Sequence, residues 1–313
     1  SNGRFAVYGE ASVYNRRIID KTKSLTTLGC LCLHTWENRP MKKFFTSVAV
    51  CAAAAIALTG CGDDKAKEPA KTASADTTIT VGATPVPHAD ILNFIAPEMK
   101  KQGVTLKVLE FSDYVKPNMA LADKEIDANF FQHKPYLDSF AKERGLKLSS
   151  LVAVHIEPMG VYSKKFKDVK SVPDGAKIAI PNDPTNGGRA LRVLADAGIF
   201  GLKDGVGVNG TPADIVNNAK NVKILEMEAA VLPRTLDDVD YAVINSNFAL
   251  SVGLNPTKDS LFTEAKDSPY ANIVAVRADD NREVLQKLKS AITSPAVRDF
   301  ILEKYKGSVV PAF

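Results

Sequence analysis

The stretch that most constrains this chain is residues 176–198, AKIAIPNDPTNGGRALRVLADAG. Lys177, Ile178, Ala179 and Ile180 make a short strand-like run, which Pro181-Asn182-Asp183-Pro184 stops. Apolar residues then recur at Ala190, Leu191, Val193, Leu194 and Ala197, a helical period that Gly198 ends. Thr185 is the expected N-cap, its hydroxyl accepting from an N–H of the first turn. A strand, a tight polar turn and a helix start aim free N–H groups and the positive helix end at one point. Arg189 adds a two-pronged donor suited to a carboxylate. An anionic small molecule fits that geometry, although an ordinary strand–helix connection with a surface Arg would read the same way.

The chain after residue 78 repeats this alternation. Strand-like runs at 79–82, 105–111, 127–131 and 148–156 are separated by helical patterns at 88–101, 114–122 and 133–144. After the unit at 176–198 come a Gly-rich loop (201–210), a short helix (211–218), a strand (222–227), a helix (229–239) and a strand (241–245). A late strand at 270–277 is followed by helices near 282–293 and 296–305. Alternation of this kind argues for an α/β fold with parallel-type sheets covered by helices. Breaks near 156–161 and 268–273 divide it into two lobes. If the tail returns to the first lobe, the chain crosses twice, making a hinge and a ligand-accepting cleft. The expected lobes are 79–156 plus 273–313, and 157–272.

The N-terminal part reads as a leader. Met41 is the expected start, Lys42-Lys43 a basic flank, and residues 44–59 an apolar run of 16 residues, shorter than the roughly 20 a bilayer span needs. It ends in Leu58-Thr59-Gly60-Cys61, similar to a bacterial lipobox, in which Cys61 would be lipidated; a plain secretory signal with a chance Cys is the alternative. Residues 1–40 are expected to be upstream or non-native sequence, 41–60 the signal peptide, and 61–78 a flexible tether. All four cysteines (Cys30, Cys32, Cys51, Cys61) fall at or before the anchor, so no thiol chemistry is expected in the folded part. Beyond Cys61 there remain 32 Lys and Arg against 33 acids, which offers no nucleic-acid footprint.

Two further clusters carry chemistry. Phe131 and His133 stand near the C-terminal edge of a strand, Tyr136 follows His133 on the same helix face, and Tyr114 opens the preceding helix. Together they would make a slot for a soft, unbranched side chain, sulfur being well accepted by aromatic rings; Phe131 as core and His133 as a helix cap is the plainer reading. Asn218, beside the Gly-rich loop, and Asn245, at a strand end, can accept from an ammonium or donate to a carboxylate, or simply close turns. His155 and Glu157 share a strand face, but no third metal ligand is apparent. No Cys or Gly-x-Ser-x-Gly turn marks a nucleophile, so no enzyme, metal or cofactor is expected. The rival reading is a surface lipoprotein antigen or adhesin with a different ligand or none.

The segments DANFFQHKPYLD (127–138), PNDPTNGGRALRVL (181–194), EAAVLPRTLDDVDYAVIN (228–245) and DSPYANIV (267–274) resemble the methionine-binding lipoproteins of the MetQ/NlpA type, substrate-binding components of methionine ABC importers. The resemblance implies a type II periplasmic-binding fold, with two α/β lobes joined by two hinge crossings and the ligand clasped as a zwitterion. It implies L-methionine as ligand, with D-methionine and methionyl derivatives left open, and delivery to a permease/ATPase complex. By matching motif, Tyr114, Phe131, His133 and Tyr136 line the side-chain slot, Arg189 holds the carboxylate, and Asn218 and Asn245 hold the head group. Gly187-Gly188 departs from the pattern and is expected to loosen the turn. A lipid on Cys61 implies a membrane-attached protein of the bacterial cell envelope. Gly62, where an Asp often retains such proteins at the inner membrane, tilts this towards the outer one.

Overall fold

The structure, a computed structural model, describes residues 77–265 and 269–313. The expected upstream segment, signal peptide, Cys61 and the tether as far as residue 76 lie outside the described residues.

Short β-branched and apolar runs, punctuated by Gly and Pro, give thirteen strands among the described residues. The first four are β1 (Thr77–Ala83), β2 (Val104–Glu110), β3 (Ala128–His133) and β4 (Leu148–Ile156). Then follow β5 (Gly160–Tyr162), β6 (Lys177–Pro181), β7 (Gly201–Leu202), β8 (Ile215–Val216), β9 (Lys223–Met227), β10 (Tyr241–Ile244) and β11 (Phe262–Thr263). Last come β12 (Ala271–Arg277) and β13 (Val310–Pro311). They assemble into a six-stranded sheet, order β13-β4-β12-β3-β1-β2, and a five-stranded sheet, order β11-β5-β10-β6-β9. Strands β7 and β8 form a separate antiparallel pair.

The sheets are mixed rather than parallel throughout. In the first, β1 runs parallel to β2 and β3, while β12 is antiparallel to β3 and β4. In the second, β6 is parallel to β9 and β10, and β5 is antiparallel to β10. The returning strand β12 lies beside β3 and β4 of the first sheet, so the chain crosses between two α/β lobes twice. At the crossings the Glu264 N–H donates to the Met159 carbonyl at 2.9 Å, so the two connections run side by side.

Among the described residues seven α-helices cover the sheets: α1 (Asp90–Lys101), α2 (Lys116–Ala122), α3 (Lys134–Arg144), α4 (Pro184–Asp196), α5 (Ser246–Ser251), α6 (Glu283–Ile292) and α7 (Pro295–Tyr305). The apolar stripe of α1, namely Ile91, Leu92, Ile95 and Met99, packs with Ile79, Val81 and Phe130 in one core. In the second lobe Ile178 and Ile180 of β6 meet Leu191 and Leu194 of α4. Each such fully buried side chain contributes about 1.5–3 kcal/mol.

Local details differ from the sequence reading in instructive ways. The α4 cap is Asp183, whose carboxylate accepts from the Asn186 N–H at 2.9 Å, while the Thr185 hydroxyl turns back onto the same carboxylate. Gly187 and Gly188 lie inside α4 and tighten it against its surroundings. A Cβ on Gly188 would stand 2.3 Å from the Val208 carbonyl oxygen, and one on Gly187 2.9 Å from that of Pro181. The helix expected at 211–218 is one turn of 3-10 helix, Pro212–Asp214, followed by β8. The one expected at 229–239 is the 3-10 segment Ala229–Thr235, with Pro233 inside.

Candidate functional site

The strand ends that face the crossings deliver polar side chains to one place, as open α/β sheets do. A narrow cavity is lined by Tyr114, Phe131, His133, Tyr136, Arg189 and Asn245, together with Gln132, Glu157, Asn186, Ser246, Asn247 and Asn272. Six of the seven ligand-binding residues expected from sequence therefore meet. Asn218 is the exception. Its amide accepts from the Val222 N–H at 2.9 Å and donates to the Val222 carbonyl at 3.1 Å, closing the loop before β9 outside the cavity.

One side of the cavity is aromatic. Tyr114 lies 5.8 Å from both Phe131 and Tyr136 by ring centroids, and 4.8 Å from Phe248. The Tyr136 hydroxyl donates to the Tyr114 carbonyl at 2.9 Å, so the two rings hold each other. His133 serves as cap and lining at once. Its Nδ1 accepts from the Tyr136 N–H at the start of α3, and its Nε2 donates to Asn186 Oδ1 at 3.1 Å. Burial, then the nearby Arg189 charge, holds its pKa down at about 3, so it stays neutral at physiological pH.

The other side is charged. Arg189 is 3% exposed. Its two-pronged grip is already taken, since Nε and Nη2 bond the Glu264 carboxylate and Nη2 also donates to the Glu157 carbonyl at 2.8 Å. Tyr270 stacks on the guanidinium at 4.3 Å. Nη1 makes no hydrogen bond to a described residue, and a ligand carboxylate would meet the guanidinium from that end. The two-pronged geometry expected from sequence is present, directed at Glu264.

Glu157 brings a carboxyl group to the same place. It sits in the first crossing, and burial raises its pKa, opposed by the neighbouring His88 and Arg189 and by a bond from the Asn247 N–H. Asn245 donates to Asn186 at 2.9 Å, while its Oδ1 is buried without a partner. The cavity thus offers a guanidinium, a carboxyl group and an unsatisfied acceptor beside an aromatic slot, a set that can complement a zwitterion with an apolar side chain.

The NlpA lipoprotein family pattern matches residues 79–313. The chain belongs to that family. It is 44% identical over 272 residues to the D-methionine-binding lipoprotein MetQ of Salmonella typhimurium, covering 86% of this chain and 98% of the relative. Against the protein of the same name from Escherichia coli K12 the identity is 42% over 272 residues, with the same coverage. A nutrient-binding protein from Burkholderia cenocepacia, solved bound to methionine, superposes with a TM-score of 0.73 at 49% identity. That match covers 75% of this chain and all of the other. The NlpA lipoproteins are substrate-binding proteins rather than enzymes, and the fold is that of a type II periplasmic-binding protein.

Sequence reasoning missed Glu157 and Glu264 as site residues in this family member. On sequence Glu157 reads as sharing a strand face with His155. The structure adds His88 to the pair, the ligand-type atoms of the three lying within 4.8 Å of one another. Glu264 gave no signal, standing 75 positions from its partner in a connection without periodicity.

Proposed function

We propose that this chain is the lipid-anchored substrate-binding protein of an ABC importer, which captures methionine in the interlobe cleft and delivers it to a membrane permease/ATPase complex. The observation that carries this reading is that Arg189, Glu157 and the orphan Asn245 Oδ1 line one cavity beside Tyr114, Phe131 and Tyr136. A guanidinium and a carboxylate together match an α-amino acid head group, and the aromatic rings suit a thioether. The names of the curated relatives and the methionine-bound neighbour support the same ligand.

L-methionine is our first ligand, and D-methionine is run beside it because the relatives carry the D form in their names. We further propose lobes of 79–156 plus 273–313 and of 157–272, with attachment to the cell envelope through a lipid on Cys61. The test is a thermal-shift screen with the twenty amino acids and D-methionine. A ligand at 100 times its Kd stabilises by about 2.7 kcal/mol, so methionine raises Tm by several degrees while lysine and aspartate leave it unchanged. Equal shifts from every amino acid, or none, refute the assignment. Fatty-acid labelling that marks the wild type but not Cys61→Ser tests the anchor.

A further inference from the structure

Behind Glu157 lies a polar cluster that ligand contact does not explain. His88, in the helical turn Pro85–Ala89 that leads into α1, and His155, on β4, are buried and do not line the cavity. Both turn Nε2 towards the same carboxylate oxygen: His155 is 2.7 Å from Glu157 Oε1, and His88 is 3.2 Å from it. The Asn247 N–H adds a third donor to the carboxylate. The tautomer of His88 is fixed by its neighbours. Its Nε2 faces two acceptors, Glu157 Oε1 and Asn272 Oδ1 at 3.0 Å, so it carries the proton. The Thr84 hydroxyl, 2.7 Å from Nδ1, is then the donor there. Phe130 closes the cluster edge-on, with ring centroids 4.6 Å from His88 and 5.2 Å from His155.

A carboxyl group in so dry a place would ordinarily take up a proton, and donors converging on its oxygens oppose that. We infer that His88 and His155 are positioning residues for recognition of the ligand's ammonium group, holding Glu157 ionised and in one orientation so that a cationic amine completes the cleft. This rests on the reading of the cavity as an amino-acid site, and it narrows the ligand class to free α-amines, excluding N-acyl derivatives.

The geometry favours hydrogen bonds over a shared cation. Ligands held roughly 2.0–2.2 Å from a tetrahedral zinc stand roughly 3.3 Å or more apart, whereas His155 and Glu157 are at a hydrogen-bond distance. The other groups that interact electrostatically with Glu157 are Arg189 on α4, Tyr114 before α2 and Tyr305 on α7. Arg189 favours the carboxylate form; both phenols are pushed upward and stay neutral.

The test is the pH profile of methionine binding by calorimetry between pH 5.5 and 8, where methionine remains a zwitterion. The wild type is expected to give a flat profile. In His155→Leu the carboxyl group loses a donor, its pKa rises, and protonation removes the partner of the ammonium as pH falls. Affinity should therefore drop about tenfold or more from pH 8 to pH 5.5, and His155→Gln, which restores an N–H, should return the flat profile. If His155→Leu does not fold, His88→Leu makes the same test, because it removes the other imidazole donor to Glu157 Oε1. A flat profile in a folded His155→Leu or His88→Leu protein overturns the inference. So does loss of wild-type binding on dialysis against EDTA, which would make the three side chains metal ligands. A wild type that binds no amino acid at any pH refutes the proposed function itself.

Discussion

Arg189→Ala separates recognition of the head group from recognition of the side chain. Arg189 and Glu264 are 3% and 12% exposed at the side chain, so their pair is largely dry. Truncating the Arg leaves two acceptors without a donor: the Glu264 carboxylate in the empty protein and the ligand carboxylate in the complex. Removing one partner of a buried, hydrogen-bonded charge pair costs about 2–5 kcal/mol of binding, which corresponds to roughly 30-fold to several thousand-fold in affinity. The same truncation costs the unliganded protein stability, because Glu264 is stranded. Arg189→Lys should recover little. An ammonium is one compact charge, whereas the guanidinium serves Glu264 through Nε and Nη2, the Glu157 carbonyl through Nη2, and leaves Nη1 over. Tyr136→Ala is the contrast. It opens the aromatic slot and should weaken methionine by about 1.5–3 kcal/mol, roughly ten- to hundredfold, while leaving alanine nearly unaffected. Titration calorimetry on the three variants, with folding checked by thermal melts, decides the matter. An Arg189→Ala protein that binds methionine within threefold of wild type removes Arg189 from the site and refutes the reasoning.

Asn218→Ala should leave methionine affinity within threefold and lower stability by about 0.5–1.5 kcal/mol, since its amide closes a turn on Val222; a large loss of affinity would restore it to the site. Gly188→Ala should lower stability by about 1–3 kcal/mol despite the better helix propensity of Ala, because the new Cβ meets backbone at Val208; an unchanged or higher melting temperature contradicts that packing. Acidification should destabilise the empty protein, because burial holds His88, His155 and His133 at about 4, 3 and 3 against 6.5 for the ordinary group. Between pH 6.5 and about 4 the unfolded chain therefore binds more protons, so the stability is full above pH 6.5 and is lost as pH falls through that window. The slope reaches up to about 4 kcal/mol per pH unit, less whatever Glu157, raised by burial, opposes. Melting curves from pH 7.5 to 4.5 that show a constant Tm would refute this.

What the sequence disclosed, and what it hid, follows from where each residue sits. Ile178, Ile180, Leu191 and Leu194 were legible because they lie in periodic elements whose spacing must match a sheet or a helix to bury them. Phe131, His133, Tyr136 and Asn245 were legible for a related reason: each stands where a periodic run stops, and strand ends are where this class of fold presents side chains. Asn218 followed the same logic and misled, because an Asn at the end of a run also closes turns on its own backbone, and here the loop took it. The alternation of strands and helices revealed α/β layering but not strand direction, since antiparallel β12 carries the same apolar pattern as a parallel strand would.

Glu157 and Glu264 could not be found in this way, and the cause lies in the fold rather than in the method. Both belong to the crossings between lobes, where the chain has no period to keep and burial arises from two connections running against each other and against α4. A carboxylate there reads as a solvated loop residue until the second crossing is placed beside the first. Yet the crossings are where opposite charges can serve a hinged cleft, because a residue fixed at the hinge keeps its distance to both lobes better than one on a lobe face. Arg189 is anchored to both connections, through the Glu157 carbonyl and the Glu264 carboxylate. Its guanidinium is thus held by the segments that a hinge movement displaces least, while the Tyr114–Phe131–Tyr136 slot belongs to the first lobe. If the proposed function holds, the head group would be read at the hinge and the side chain by the aromatic wall of the first lobe.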